Sequence, residues 1–121
     1  MDSRIRHLLE RGIDDLAGLQ VALFFQGHPN FVDGVDALAR QMSRQPRELE
    51  PALARLANMG VVDRFELGGG RYVLYSYSGD PGMRELMSRL SQLYHEDPAG
   101  RAAIVGHLIE RLKASSRSTP G

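Results

Sequence analysis

The spacing of apolar residues changes twice along this chain, near position 61 and again near position 80. Before position 61, apolar residues recur in steps of three and four, the period of an α-helix with one buried side. Pro51 lies in the fourth such segment, where we expect it to distort the first turn of one helix without dividing it. The predicted helices are Arg4 to Arg11, a helix capped by Asp14 that ends near Gly27 and buries Leu16, Leu19, Leu23 and Phe24, a brief helix from Gly34 or Val35, and a helix from Pro46 to a stop at Gly60.

From Val61 onward, apolar residues alternate with polar ones, which is the period of a β-strand. This run ends at Gly68 to Gly70, and a second run, Arg71 to Tyr77, is rich in aromatic and branched residues. Phe31 with Val32 is a candidate for a short extended piece. Helical spacing then returns towards the carboxyl end. The predicted elements are a hairpin over residues 61–77, a fifth helix that is capped by Asp80 and begins at Pro81, a sixth over residues 99–113, and a disordered tail over residues 114–121.

The charges of the chain balance, since 15 of its 121 residues are Lys or Arg and 15 are Asp or Glu. A neutral chain has no overall field that attracts nucleic acid, so any such binding has to come from a local patch. Residues 40–71 supply a modest one, because their arginines outnumber their acidic residues by six to four.

Several classes of protein are disfavoured by the residue content. The chain has no cysteine, which excludes a disulfide framework, a thiolate metal site and a cysteine nucleophile. Its four histidines are scattered, and no catalytic Ser/His/Asp set is indicated, so we expect no enzyme, no metal site and no cofactor. The longest apolar run is Val21 to Phe25, so we expect no membrane span and a cytoplasmic protein.

Three helices followed by a two-stranded ribbon, at this spacing, resemble the winged helix-turn-helix transcription regulators. The residues that carry the resemblance are Leu38, Ala39 and Met42, the polar turn Ser43-Arg44-Gln45, the leucines at 49, 53 and 56, then Gly60-Val61-Val62, Arg64 and Tyr72. One leading and two trailing helices around this core are similar to the order in MarR-type regulators, whose terminal helices dimerise. The resemblance implies a mainly α fold with a small β-hairpin wing (α+β), in one domain over residues 1–113, with a winged-helix core at 14–77 and a C-terminal helical hairpin at 81–113.

At about 100° per residue, the fourth helix turns its leucines inward and leaves an outward stripe of Arg47, Pro51, Ala54 and Asn58. The resemblance implies that the turn and the start of this helix enter the major groove of DNA, where Arg suits guanine and Gln or Asn suits adenine. The alternative for the polar residues of the turn and the fourth helix is that they are ordinary solvated side chains. The alternative for the three glycines is that they form a plain hairpin turn and not a DNA-binding wing tip. The predicted DNA contacts are Arg44, Gln45 and Arg47 to bases, Arg40 and Arg55 to phosphates, and in addition Ser43, Asn58, Arg64 and the wing-tip Arg71.

The fifth and sixth helices carry more apolar residues than one small domain buries easily. In the sixth, Ile104, Leu108 and Leu112 form one predicted side, while Val105 and Ile109 form another. Either both helices pack on the domain and on each other, or they build a dimer interface, which we favour. The predicted interface residues are Leu86, Leu90, Leu93, Val105, Ile109 and Leu112.

The sequence therefore predicts a sequence-specific regulator that binds double-stranded DNA as a homodimer. The alternative is a winged-helix module that binds another protein and not DNA. Binding to random duplex DNA that weakens steeply with salt would distinguish the first function from the second.

Overall fold

The structure, a computed structural model, describes residues 2–117. It is mainly helical with one small antiparallel sheet, so the predicted α+β class is confirmed. The elements in chain order are α1 (Ser3–Arg11), α2 (Leu16–Gly27), β1 (Val32–Asp33), α3 (Val35–Met42), α4 (Pro46–Asn58), β2 (Val62–Leu67), β3 (Tyr72–Tyr77), α5 (Pro81–Glu96) and α6 (Pro98–Arg117).

Side-chain caps fix where two of the helices begin. The Met83 amide donates to the Asp80 carboxylate at 2.9 Å, as the sequence predicts for the start of α5. At α2 the predicted cap is wrong by one residue. The Gly18 amide donates to Asp15 at 2.7 Å, so Asp15 and not Asp14 is the N-cap. Asp14 is thereby left outside the helix with its carboxylate directed elsewhere.

Two helix lengths bear on the predictions. α4 continues through Pro51 as one helix, as expected. α6 continues to Arg117, so the predicted disordered tail is wrong for residues 114–117. That stretch contains neither glycine nor proline, the residues that usually stop a helix. The remainder of the predicted tail, residues 118–121, lies outside the described residues.

The sheet has the strand order β1, β3, β2, so the predicted hairpin gains a short third strand at Val32–Asp33. Residues directly opposite each other share one side of a sheet, and neighbours along a strand alternate between its sides. Val62 lies opposite Tyr77 on the inner side, and both are buried. The outer side, here called the sheet face, carries five apolar residues: Val32, Phe65, Leu67, Tyr72 and Leu74.

The hairpin turn requires glycine at three successive positions. Gly68, Gly69 and Gly70 have φ angles of 62°, 68° and 89°. This left-handed region is costly for residues with a Cβ atom and open to glycine. The glycine triplet is therefore explained by backbone geometry alone.

One hydrophobic core includes residues of all six helices and of the sheet. α2 lies at its centre, packed against α4, α5 and β3. Leu19 and Phe25 of α2 are fully buried, and Leu23 and Phe24 are partly buried against the core. Leu16 departs from the prediction, because it is half exposed. Since α2 begins at Leu16 itself, its side chain lies at the edge of the core, where it borders α6.

Candidate nucleic-acid interface

A tight turn joins α3 to α4 and is closed by two backbone hydrogen bonds. The Arg44 amide donates to the Ala39 carbonyl at 3.0 Å, and the Ser43 amide donates to Arg40 at 3.4 Å. These are the bonds of a Schellman motif, whose penultimate residue adopts a left-handed conformation. Ser43 does so with φ 55°, the one positive φ angle outside glycine among residues 2–117. The turn is therefore rigid, and it fixes the angle between the two helices.

The two sides of α4 are as the helical period predicts. Leu49, Ala52, Leu53 and Leu56 are buried. The opposite stripe of Arg47, Pro51, Ala54 and Asn58 is exposed along its whole length. Two of the four exposed residues are small or compact, so the backbone of α4 can approach a flat or grooved partner closely. The leucines hold this stripe in place, because any rotation of α4 would expose them.

Four of the predicted contact residues form one exposed polar surface, here called the turn surface: Arg40, Ser43, Gln45 and Arg47. Among residues 2–117, the side chains of Arg40 and Arg47 have no ion-pair partner. Gln45 is the N-cap residue of α4 and makes no side-chain capping bond, so its amide is also free to bind. Positive charge at this position adds to the field of the helix N-terminus, which attracts anions.

Two predicted contact residues, Arg44 and Arg55, bind other residues of the chain in this structure. Arg44 is half-buried, donates to Gln20 of α2 and pairs with Glu48 at 3.3 Å. Its guanidinium anchors the turn to α2, so a base contact by Arg44 would require these bonds to break, and that contact stays a prediction. Arg55 lies beside the start of α2, where its Nε atom is 3.0 Å from Asp14 and Nη2 is 3.2 Å from Asp15. These carboxylates neutralise Arg55, so the phosphate contact of Arg55 stays a prediction that the proposed function below does not use.

The hairpin contributes one free cation among its predicted contacts. Arg64 is exposed on the inner side of the hairpin and donates to Glu66 at 2.8 Å. Hydrogen bonds to Glu66 and then to Tyr75 raise the pKa of Arg64 above its ordinary value, so it stays charged but paired. Arg71, after the three glycines, is exposed and has no ion-pair partner in the described part of the chain. Asn58 is also exposed, at the far end of α4.

The depression between α3 and α4 is not an anion pocket in itself. It has a volume of about 540 Å³ and is lined by Asp36 and Glu48 as well as by Arg40, Ser43 and Gln45. Carboxylates on its wall oppose a small anion inside it. The exposed cations are therefore suited to an extended anionic partner that contacts the surface from outside.

The predicted dimer contacts divide into buried and exposed groups. Leu86 and Leu90 are buried in the core of the monomer, and Leu93 packs partly against it, so they are not available to a second chain. Val105, Ile109 and Leu112 are exposed. Leu112 was expected beside Ile104 and Leu108, but α6 extends past the core at this point and leaves Leu112 with the exposed group. These three residues are here called the α6 face.

Sequence reasoning missed the sheet face, although a signal for it was present. Phe65 and Leu67 alternate with Arg64 and Glu66, so a period of two already placed the apolar pair on one side. Packing decides which side is covered, and the structure leaves Phe65, Leu67 and Tyr72 about half exposed or more. The molecule thus presents a polar turn surface and two apolar surfaces.

Within residues 2–117, no group of three or more His, Cys, Asp or Glu residues is arranged to hold a metal ion. No helix of the described part is long and apolar enough to cross a membrane. Comparison of the chain with protein-family models, with curated proteins and with solved structures found no match.

Proposed function

We propose that the chain is a winged helix-turn-helix protein that binds duplex DNA through the turn surface. In this proposal α3 and α4 form the helix-turn-helix, and β2 with β3 forms the wing. The observation that carries it is the pair Arg40 and Arg47, unpaired and exposed on either side of a rigid turn, in front of a helix anchored by buried leucines.

The start of α4 enters the major groove in this arrangement. Arg47 then reaches a guanine edge, Gln45 reaches an adenine edge, and Arg40 and Ser43 bind phosphate oxygens. Pro51 and Ala54 are compact enough for α4 to lie deep in the groove. Arg71 at the tip of the hairpin is placed to bind a phosphate or the minor groove.

A single copy carries few free cations, and a homodimer would double them. The α6 face supplies an apolar contact for a second copy, since Ala102, Val105, Ile109 and Leu112 follow one another at steps of three, four and three. This is the spacing by which two helices pack side by side. A dimer that reads two half-sites about 34 to 36 Å apart would act as a cytoplasmic regulator by occupying its site, without chemistry.

Fluorescence anisotropy with labelled duplex DNA tests this function. We expect the double variant Arg40→Ala, Arg47→Ala to lose at least about tenfold in affinity, since the base contact of Arg47 is worth about 1 to 3 kcal/mol and the phosphate contact of Arg40 is lost in addition. The variant Arg89→Ala is the matched control, because Arg89 pairs with Asp2 and Glu85 away from the turn. It removes one positive charge, as each of the two substitutions in the double variant does, and should keep nearly the parental affinity. Unchanged binding by the double variant would show that the turn surface is not the contact.

The second candidate function is a winged-helix module that binds a protein. The sheet face favours it, because four apolar side chains about half exposed or more are unusual for one side of a small sheet that faces only water. The variant Phe65→Ser, Tyr72→Ser separates the two functions. If DNA is the partner, the parent binds duplex DNA and this variant keeps the same affinity. If the chain is a protein-binding module, the parent itself shows no duplex binding even at low salt.

A further inference from the structure

One carboxylate connects three elements that are far apart in the sequence. Asp14 precedes α2, and one of its oxygens lies 3.0 Å from Nε of Arg55 on α4. The other oxygen lies 3.8 Å from Nη2 of Arg111 on α6. Asp14 is free for this role because Asp15, and not Asp14, caps α2. The α4 helix with the turn surface and the α6 helix with its exposed face are thus joined by ion pairs.

The position of this link relates it to both surfaces. Asp14, Arg55 and Arg111 line one groove of about 750 Å³, together with Leu16 and the three residues of the α6 face. Along α4, Arg55 follows Arg47 by eight residues, about 12 Å at the helical rise. A tilt of α4 about its buried leucines therefore moves both arginines.

Covering the α6 face would strengthen the attraction between the charges of the link, at a cost in the hydration of the three side chains. The side chains of Asp14, Arg55 and Arg111 are now 30%, 28% and 42% exposed. A second copy on the neighbouring apolar residues would remove water from this groove, and an ion pair is stronger where less water screens it. Coupling of this kind is reciprocal, so an α4 held in its binding orientation would in turn favour the dimer.

We propose that Asp14 is a positioning residue that fixes the orientation of α4 relative to the dimer contact on α6. The inference rests on the proposed function, in which α4 reads DNA and α6 joins two copies. It adds that the separation of the two α4 helices in a dimer is set by the Arg55–Asp14–Arg111 link and is lost with it.

Pulsed electron double resonance measures that separation without DNA. The chain has no cysteine, so Ala54→Cys on the exposed stripe of α4 gives a single site for a spin label in each copy. We expect the parent dimer to give one narrow distance distribution. Asp14→Asn and Arg111→Gln should each broaden or shift it, and Asp14→Glu should restore it.

Asp15→Asn is the matched control, because Asp15 contacts Arg55 but not α6, and asparagine still caps a helix. Its distribution should match the parental one. The same variants tested on duplexes with different half-site spacing should show that Asp14→Asn loses about fivefold or more in affinity for the best spacing, with binding to random duplex unchanged.

The outcomes separate the inference from the function on which it rests. A parent that gives no dipolar signal is monomeric, which overturns the dimer and the link together. A parent with a narrow distribution that Asp14→Asn leaves unchanged overturns the positioning role alone and leaves the DNA proposal standing.

Discussion

α4 and α6 each bury one side and expose the other, but their exposed sides differ in chemistry. The exposed stripe of α4 contains Arg47, Pro51, Ala54 and Asn58, whereas α6 exposes Val105, Ile109 and Leu112. A polar stripe is stable in water without a partner, whereas covering an apolar stripe lowers the free energy. In the proposed function these two sides have different partners: α4 contacts DNA through directed hydrogen bonds, and α6 contacts a second copy through apolar packing.

The largest expected effect is the loss of stability when a residue on the buried side of α4 is truncated. Leu53→Ala removes a fully buried side chain and should lower the free energy of unfolding by about 2 to 5 kcal/mol. Leu112→Ala is the same truncation at a residue that is 71% exposed, and should change it by about 0.5 kcal/mol or less in the dilute monomer. Denaturant titration at low protein concentration compares them. Equal losses would mean that Leu112 belongs to the core.

The next effect tests the exposed side of α6. Ile109→Glu should raise the dimer dissociation constant at least about 100-fold, because each buried isoleucine contributes about 1.5 to 3 kcal/mol and a symmetric contact contains two. Glu110→Gln, on the adjacent residue, should leave the dissociation constant nearly unchanged. Sedimentation equilibrium measures both. A parent that is monomeric at tens of micromolar contradicts the dimer.

The smallest effect concerns the turn that orients α4. Ser43→Gly removes the conformational cost of a left-handed backbone at a residue with a Cβ atom, and should raise the free energy of unfolding by about 0.5 to 1 kcal/mol. Ser88→Gly is the matched control in the interior of α5, where glycine should lower stability by a similar amount. Thermal melts of the two variants should shift in opposite directions. A downward shift for Ser43→Gly would show that its side chain stabilises the turn.

The buried and exposed sides of α4 could be predicted from the sequence, and those of α2 could not. In α4, leucines alternate with charged and small residues at the helical period, so one side is defined. α2 is apolar almost all around, and its period does not single out one face. Only its position between α4, α5 and β3 shows that nearly every side is covered and that Leu16 is not.

The side-chain partners of the arginines could not be predicted from the sequence either. Arg44 binds Gln20, 24 positions away, and Arg55 binds Asp15, 40 positions away. No local spacing relates such residues, so the exposed and the engaged arginines of the turn and of α4 could not be told apart in the sequence. Leu90 and Ile109 present the same problem for apolar residues, since both lie on helical stripes and only packing buries the first.

The salt dependence of binding to a duplex DNA of random sequence tests the central claim most directly. If the turn surfaces of a dimer contact phosphates, the logarithm of the association constant should fall linearly with the logarithm of salt concentration, with a slope of about −0.9 for each phosphate contacted. Arg40, Arg71 and their copies in a dimer predict a slope of about −3 to −4, reduced by about half in a monomeric Ile109→Glu variant. Absence of binding at low salt, or binding without a salt dependence, would contradict the account.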